Sequence, residues 1–213
     1  MREARLADAV RRGMGVAARA AGEWAEAFRA DGPAEPLRAG NRYLRLPAVF
    51  AAADGGFERP SSYGHPLWVG VFDAAYTRVG DYLVAPSGTW FVAAQTRLMP
   101  VLCVRTNRVV NLLRASAPAS VGVGAYGGIQ TELAAPLMTS WPASVLSAGG
   151  GGLEAELPAD GGVGSWAVLM PAWSGVVLRT GDLLRDDLGR SGVVSAAELT
   201  ELGWRLLVRQ AAS

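Results

Sequence analysis

The feature that most narrows the choice of fold is a pair of Gly-Asp words, each opening a strand, a tight turn and a return strand. The first begins Gly80-Asp81-Tyr82-Leu83-Val84 and turns at Ala85-Pro86-Ser87-Gly88, where proline presets φ and glycine admits φ > 0. Residues 89–93, rich in β-branched and aromatic side chains, return antiparallel. Residues 101–104 and 109–113 continue the meander, with Thr106-Asn107 as the turn between them. The second word is Gly181-Asp182-Leu183-Leu184, which turns at Asp187-Leu188-Gly189-Arg190, returns over residues 193–198 and exits through residues 204–208. Aligning Ala93-Ala94-Gln95 with Ala196-Ala197-Glu198 places two extra residues in the second turn. Hairpins converge readily on such words, so duplication and coincidence both stay open. Either way the pattern predicts a mainly β fold: one or two small antiparallel barrel or sandwich units, with an N-terminal α-helix and long loops.

The helix belongs to residues 1–33. Over residues 3–30, Leu6, Val10, Met14, Ala17, Ala21, Trp24 and Phe28 recur at helical spacing and draw one apolar stripe. Alanines favour the helix, Gly13, Gly15 and Gly22 weaken it, and Asp31-Gly32-Pro33 ends it. Such a stripe packs on its own domain or docks on a neighbouring subunit. Residues 34–114 form the first β unit with its preceding loop, in which residues 43–47 read as one short strand and residues 66–72 as another. Residues 115–165 are a Gly/Pro-rich loop region. Residues 166–213 form a second β unit or complete a single domain with the first, and residues 165–171 and 175–179 are its predicted entering strands. Both loop regions, 34–66 and 115–165, are expected to move in an isolated subunit and to order against neighbours.

Chemistry is thin. The chain of 213 residues can bury a real core. No apolar run approaches the roughly 18 to 20 residues of a membrane span. The opening residues carry acids and do not read as a signal peptide. Cys103 is the one cysteine, so a disulfide framework is excluded and a reduced, cytoplasmic origin fits. Every basic residue is arginine, which removes Schiff-base and P-loop lysine chemistry. The net charge of +1 leaves no general nucleic-acid footprint, although arginines outnumber acids up to residue 149 and acids outnumber arginines beyond it. His65, the only histidine, lies between Gly64 and Pro66 and has no partner for a metal site or a triad. Gly122-Val123-Gly124-Ala125-Tyr126-Gly127 spells a dinucleotide fingerprint but lacks the strand before it and the helix after it, so a loop is expected. Asp186-Asp187 is a carboxylate pair whose side chains are expected to point apart. Cys103, Trp90 and Val92 are expected as buried framework, and Trp68, Trp166 and Trp204 as core rather than a stacking face. No catalytic, cofactor-binding or metal-binding residue is expected.

The opening Ala/Arg helix, the Pro/Gly-rich loop and the Gly-Asp-x-Leu hairpins together resemble minor virion proteins of tailed bacteriophages. The likeness is to head–tail connectors of the head-completion or stopper type, and covers mainly residues 80–114 and 176–208, with residues 5–19 in support. The chain is longer than such stoppers and carries two units instead of one. The resemblance implies a non-enzymatic virion component, made in the bacterial host cytoplasm, forming a homo-oligomeric ring at the neck between portal or adaptor and tail. DNA would pass through the lumen without sequence recognition. A tail or baseplate protein, or a carbohydrate- or peptide-binding β module at the tail tip, is the alternative.

Overall fold

The computed structural model describes residues 2–52, 66–96, 98–115, 134–147 and 164–210. The fold is mainly β with one N-terminal helix, as the sequence pattern predicts. After helix α1 (Arg2–Ala21) come six strands: β1 (Glu23–Phe28), β2 (Arg42–Ala52), β3 (Leu67–Val71), β4 (Tyr82–Ala85), β5 (Gly88–Ala94) and β6 (Val101–Arg105). They close into an antiparallel barrel in the order β1-β2-β3-β6-β5-β4. A second six follow: β7 (Arg108–Ala115), β8 (Ala134–Ser147), β9 (Ser165–Met170), β10 (Leu183–Asp186), β11 (Ser191–Thr200) and β12 (Gly203–Gln210). They close in the order β7-β8-β9-β12-β11-β10. Adding six to each strand number converts one barrel into the other.

The repetition reaches single residues. Val92 N donates to Asp81 O at 2.9 Å, and Val194 N donates to Asp182 O at 2.8 Å. A bulge falls between Val92 and Ala94 on β5 and between Val194 and Ala196 on β11. These anchors place Ala94 opposite Ala196 in the alignment of the repeats, so the sequence alignment slips by one residue. Leu83 pairs with Trp90 and Leu184 with Gly192, which leaves the second turn one residue longer than the first, not two.

Three sequence expectations are corrected. Helix α1 stops at Ala21, and Trp24 and Phe28 lie on strand β1. Gly22 makes that exit possible: a Cβ there would stand 2.5 Å from both Ala18 O and Ala48 O. Spacing of four cannot distinguish helix from strand for Trp24 and Phe28, because both share parity on a strand. The buried line of α1 is Ala7, Gly15 and Ala18, and Leu6 and Val16 of the neighbouring faces are exposed.

The second correction concerns the irregular regions. All of residues 42–52 form one long strand, β2, and β8 occupies 14 residues of the expected second loop. β8 contains Pro136 and Pro142, although proline is unfavourable inside a strand. They sit on either side of register shifts where β8 pairs with β7, and Ser140 between them has φ 56° with its N–H donating to Asn111 Oδ1 at 2.9 Å. Residues 175–179, by contrast, lie in a turn and a coil rather than a strand.

Third, residues 109–113 do not continue the first meander. β6 pairs with β3 and β5, whereas β7 pairs with β8 and β10. The boundary between units falls at Thr106-Asn107, ahead of the break at residue 114 read from the sequence. The hydrophobic interior of the first barrel is Ala25, Ala27, Leu46, Ala48, Phe72, Leu83, Trp90, Val92, Val101 and Cys103. The other core fills the second barrel and extends to the outward side of the first.

Candidate interface at the junction of the two barrels

Strand alternation decides what lies at the junction. Ala27, Leu83, Trp90 and Cys103 point into the first barrel, so Phe28, Tyr82, Phe91 and Val104 point out of it. Those four form one row across the sheet: Phe28 pairs with Tyr82, Tyr82 with Phe91, and Phe91 with Val104. None is more than 7% exposed, and all belong to the cluster that contains the second barrel's core. The outer wall of one barrel is therefore part of the interior of the pair.

Directed bonds fix the contact. The Tyr82 hydroxyl donates to Pro142 O at 2.7 Å, and its ring meets Trp141 at 6.1 Å in an edge-on arrangement. Complete burial pushes the Tyr82 phenol well above its ordinary pKa, so it is a neutral donor. Trp141 Nε1 donates to Pro33 O at 2.6 Å, tying the segment after β1 to β8. The two-residue linker is held from both sides. Thr106 N and Oγ1 both donate to Thr89 O of the first barrel, at 2.9 and 3.0 Å. Asn107 belongs to the second barrel: its N–H donates to Ala143 O at 3.0 Å, its Nδ2 to Val145 O at 2.9 Å, and its Oδ1 accepts from Val145 N at 2.8 Å. Little freedom is left for a hinge.

Each barrel also carries an arginine–aspartate brace at the same topological point. Arg29, just past β1, grips Asp81 with Nε at 2.8 Å and Nη2 at 2.7 Å. Arg114 on β7 grips Asp182 with Nε at 2.8 Å and Nη2 at 2.9 Å. Each aspartate also accepts a backbone N–H three residues earlier, from Arg78 at 2.9 Å and Arg179 at 2.7 Å. Both carboxylates are buried and both forks are bidentate, the geometry in which such pairs contribute most. The hydrogen bond to its carboxylate raises the pKa of each arginine. The Gly-Asp words therefore mark the site where the loop entering each hairpin is clamped to the barrel's first strand or the residue just past it.

The first brace differs from the second. Tyr43 donates its hydroxyl to Asp81 Oδ2 at 2.8 Å and lays its ring 4.4 Å from the Arg29 guanidinium. Burial, then the bond to Asp81, raises the Tyr43 pKa. Beside this brace a cleft of about 280 Å³ opens between the barrels, lined by Arg29, Arg78, Asp81, Trp141, Trp173 and the intervening backbone. Arg78 is exposed on its rim.

The other residues singled out in the sequence are dispersed. Cys103, Trp90 and Val92 are buried in the first barrel, and burial pushes the Cys103 thiol from 9.0 up to about 12. Trp166 and Trp204 are buried and Trp68 is half-buried, with the Arg105 guanidinium 5.4 Å from its ring. Asp186 and Asp187 do part company. Asp186 is buried, accepts the N–H groups of Leu188 and Arg190, and holds the Arg190 guanidinium at 2.6 Å, while Asp187 is exposed near Arg108. His65 and residues 122–127 lie outside the described residues. Among the described residues, no group of three or more His, Cys, Asp or Glu is arranged for a metal ion, and no helix is long and apolar enough to cross a membrane. No family model matches the chain, and neither curated proteins nor solved structures yield a match.

Proposed function

We propose that the protein is a non-enzymatic assembly subunit, a ring component of a tailed-phage particle at the neck between portal and tail. The observation that carries this reading is how α1 is used. The helix packs on its own barrel through Ala7, Gly15 and Ala18, so closely that a Cβ on Gly15 would lie 3.1 Å from Asp73 Cβ. Val10 and Met14 are half-buried beside them, whereas Leu6 and Val16 face outward with Arg5, Arg12 and Arg19. A helix that leaves two large apolar residues uncovered among arginines suits docking on a neighbour. The clamped linker and the paired braces give such a subunit a stiff body, which a ring under internal pressure needs.

Deleting the gene from the phage and imaging the products tests the proposal. Filled heads without tails, or heads that leak DNA, are the expected result, and fully infectious particles would overturn it. A second reading, a ligand-binding module at the tail tip, draws on the cleft beside Arg78, Trp141 and Trp173. Normal particles that fail to adsorb would favour that reading.

A further inference from the structure

The cleft of about 280 Å³ exists only because the two barrels meet. Its first-barrel side is Arg29 and the turn from Arg78 to Asp81, and its second-barrel side is Trp141 with the segment from Ala172 to Ser174 that follows β9. The acceptor in this cleft is already filled: Asp81 accepts twice from Arg29, once from the Tyr43 hydroxyl and once from Arg78 N. The cations are not. In the second barrel, Arg114 Nη2 donates to Val177 O at 2.8 Å besides gripping Asp182. Among the described residues Arg29 has no such third bond, and its side chain is 34% exposed. Arg78 is freer still: its Nε stands 3.8 Å from Asp81 Oδ1, beyond hydrogen-bond reach, and its side chain is 63% exposed. Among the described residues no other charged group lines the cleft, so two guanidinium groups against one carboxylate leave one positive charge unmatched.

We propose that this cleft binds one hexuronic-acid residue of an anionic polysaccharide, with the sugar carboxylate on Arg78 and Arg29 and the ring against Trp173. One unmatched positive charge suits a monoanion, and a guanidinium can meet a carboxylate as a two-bond fork. Size argues for a single ring: drug-sized ligands fill pockets of about 300 to 1,000 Å³, and this cleft falls just below that range. The second-barrel side argues for a sugar. Trp173 is half-buried, and the negative face of an indole attracts the C–H groups of a pyranose. Ser174 also lines the cleft and is exposed, so its hydroxyl is available to the hydroxyls of the sugar. Trp141 supplies surface and not a bond, because its Nε1 is held by Pro33 O. The proposal rests on the reading of the cleft as a ligand site and is independent of the neck assignment.

The test titrates the full chain with glucuronate and with a short oligogalacturonide, followed by calorimetry and by tryptophan fluorescence. Both should bind saturably, and more weakly as salt rises, because Arg78 is exposed to screening. Arg78→Ala should weaken binding by about tenfold or more through loss of a charge-assisted pair, with the melting transition unchanged. Arg78→Lys should recover only part of the loss, since it keeps the charge and not the fork. Trp173→Ala should lower both the affinity and the fluorescence response. Trp173 also packs against the shared core, so Arg78→Ala keeps the test open if the tryptophan change disturbs folding. Glucose lacks the charge and benzoate lacks the hydroxyls, and each should bind at least about tenfold more weakly than glucuronate. Glucose or benzoate binding as tightly as glucuronate, or glucuronate binding that ignores Arg78→Ala, would overturn the acidic-sugar assignment. So would the absence of any response to glucuronate and the oligomer. The ligand-site reading survives these results if a probe still binds in a way that depends on Trp173, and falls with the assignment if none does.

Discussion

At the scale of single residues, the two braced carboxylates, Asp81 and Asp182, matter most and were the least legible. Arg29 and Asp81 are separated by 52 residues and Arg114 and Asp182 by 68, so no local pattern joins them. A signal existed in the repeated Arg78-Val79-Gly80-Asp81 and Arg179-Thr180-Gly181-Asp182, where the glycines at φ 91° and 93° turn each chain back so that its aspartate caps its own loop. Asp81→Asn and Asp182→Asn should each cost about 2 kcal/mol in denaturant unfolding, a figure held down because both arginines are about a third exposed. Asp81→Asn should cost the more, because Tyr43 also loses its acceptor. Asp186→Arg should destabilise the β10–β11 turn, because the buried carboxylate accepts the Leu188 and Arg190 N–H groups there. Cys103 gives the pH prediction. The folded thiol keeps its proton up to about 12, against 9.0 unfolded, so its contribution is present below about pH 9 and lost as pH rises toward 12. Native Cys103 should resist thiol reagents at neutral pH, and the denaturant midpoint should fall between neutral pH and about pH 11.

Among elements, the hairpins were readable and the strands joining them were not. β4–β5 and β10–β11 announce themselves through Gly, Pro and Asp at turns flanked by alternating residues. β1 hides because Glu23-Trp24-Ala25-Glu26-Ala27-Phe28 is rich in helix formers. Ala25 and Ala27 are instead the inward residues of a strand in a barrel whose interior is filled by Phe72, Leu83 and Trp90. Tertiary fit decides against local propensity there. β8 hides behind two prolines that its bulges accommodate. The helix–strand exit tests this account. Gly22→Ala forces a Cβ against two backbone oxygens and should cost about 1 to 3 kcal/mol by thermal melting, while Gly13→Ala, with nothing within 4 Å, should be neutral or stabilising. Trp90, stacked on Phe50 with centroids 3.8 Å apart, fills the first barrel; Trp90→Ala should cost about 3 to 5 kcal/mol in denaturant unfolding.

For the whole molecule, the sequence predicted two hairpin units but placed the break between them too late, because Thr106-Asn107 looks like a hairpin turn. Only the pairing partners of β6 and β7 reveal a linker. With that linker pinned and the row buried, the two barrels should melt in one transition seen equally by near- and far-ultraviolet circular dichroism. Tyr82→Phe removes the bond to Pro142 and leaves a buried carbonyl unmet; it should cost about 1 to 3 kcal/mol and be the change most apt to split that transition. The order of synthesis adds a consequence. Every strand of the first barrel has been made by Arg105, before any strand of the second exists. Phe28, Tyr82, Phe91 and Val104 must then wait in water while the ribosome adds the roughly hundred residues that will cover them, at about 5 to 20 residues per second. For those seconds the nascent chain wears an oily stripe of four large side chains, and a chaperone is its natural temporary partner. A fragment of residues 1–107 should therefore aggregate or bind a holdase when expressed alone, and Tyr82→Lys with Phe91→Lys should restore its solubility.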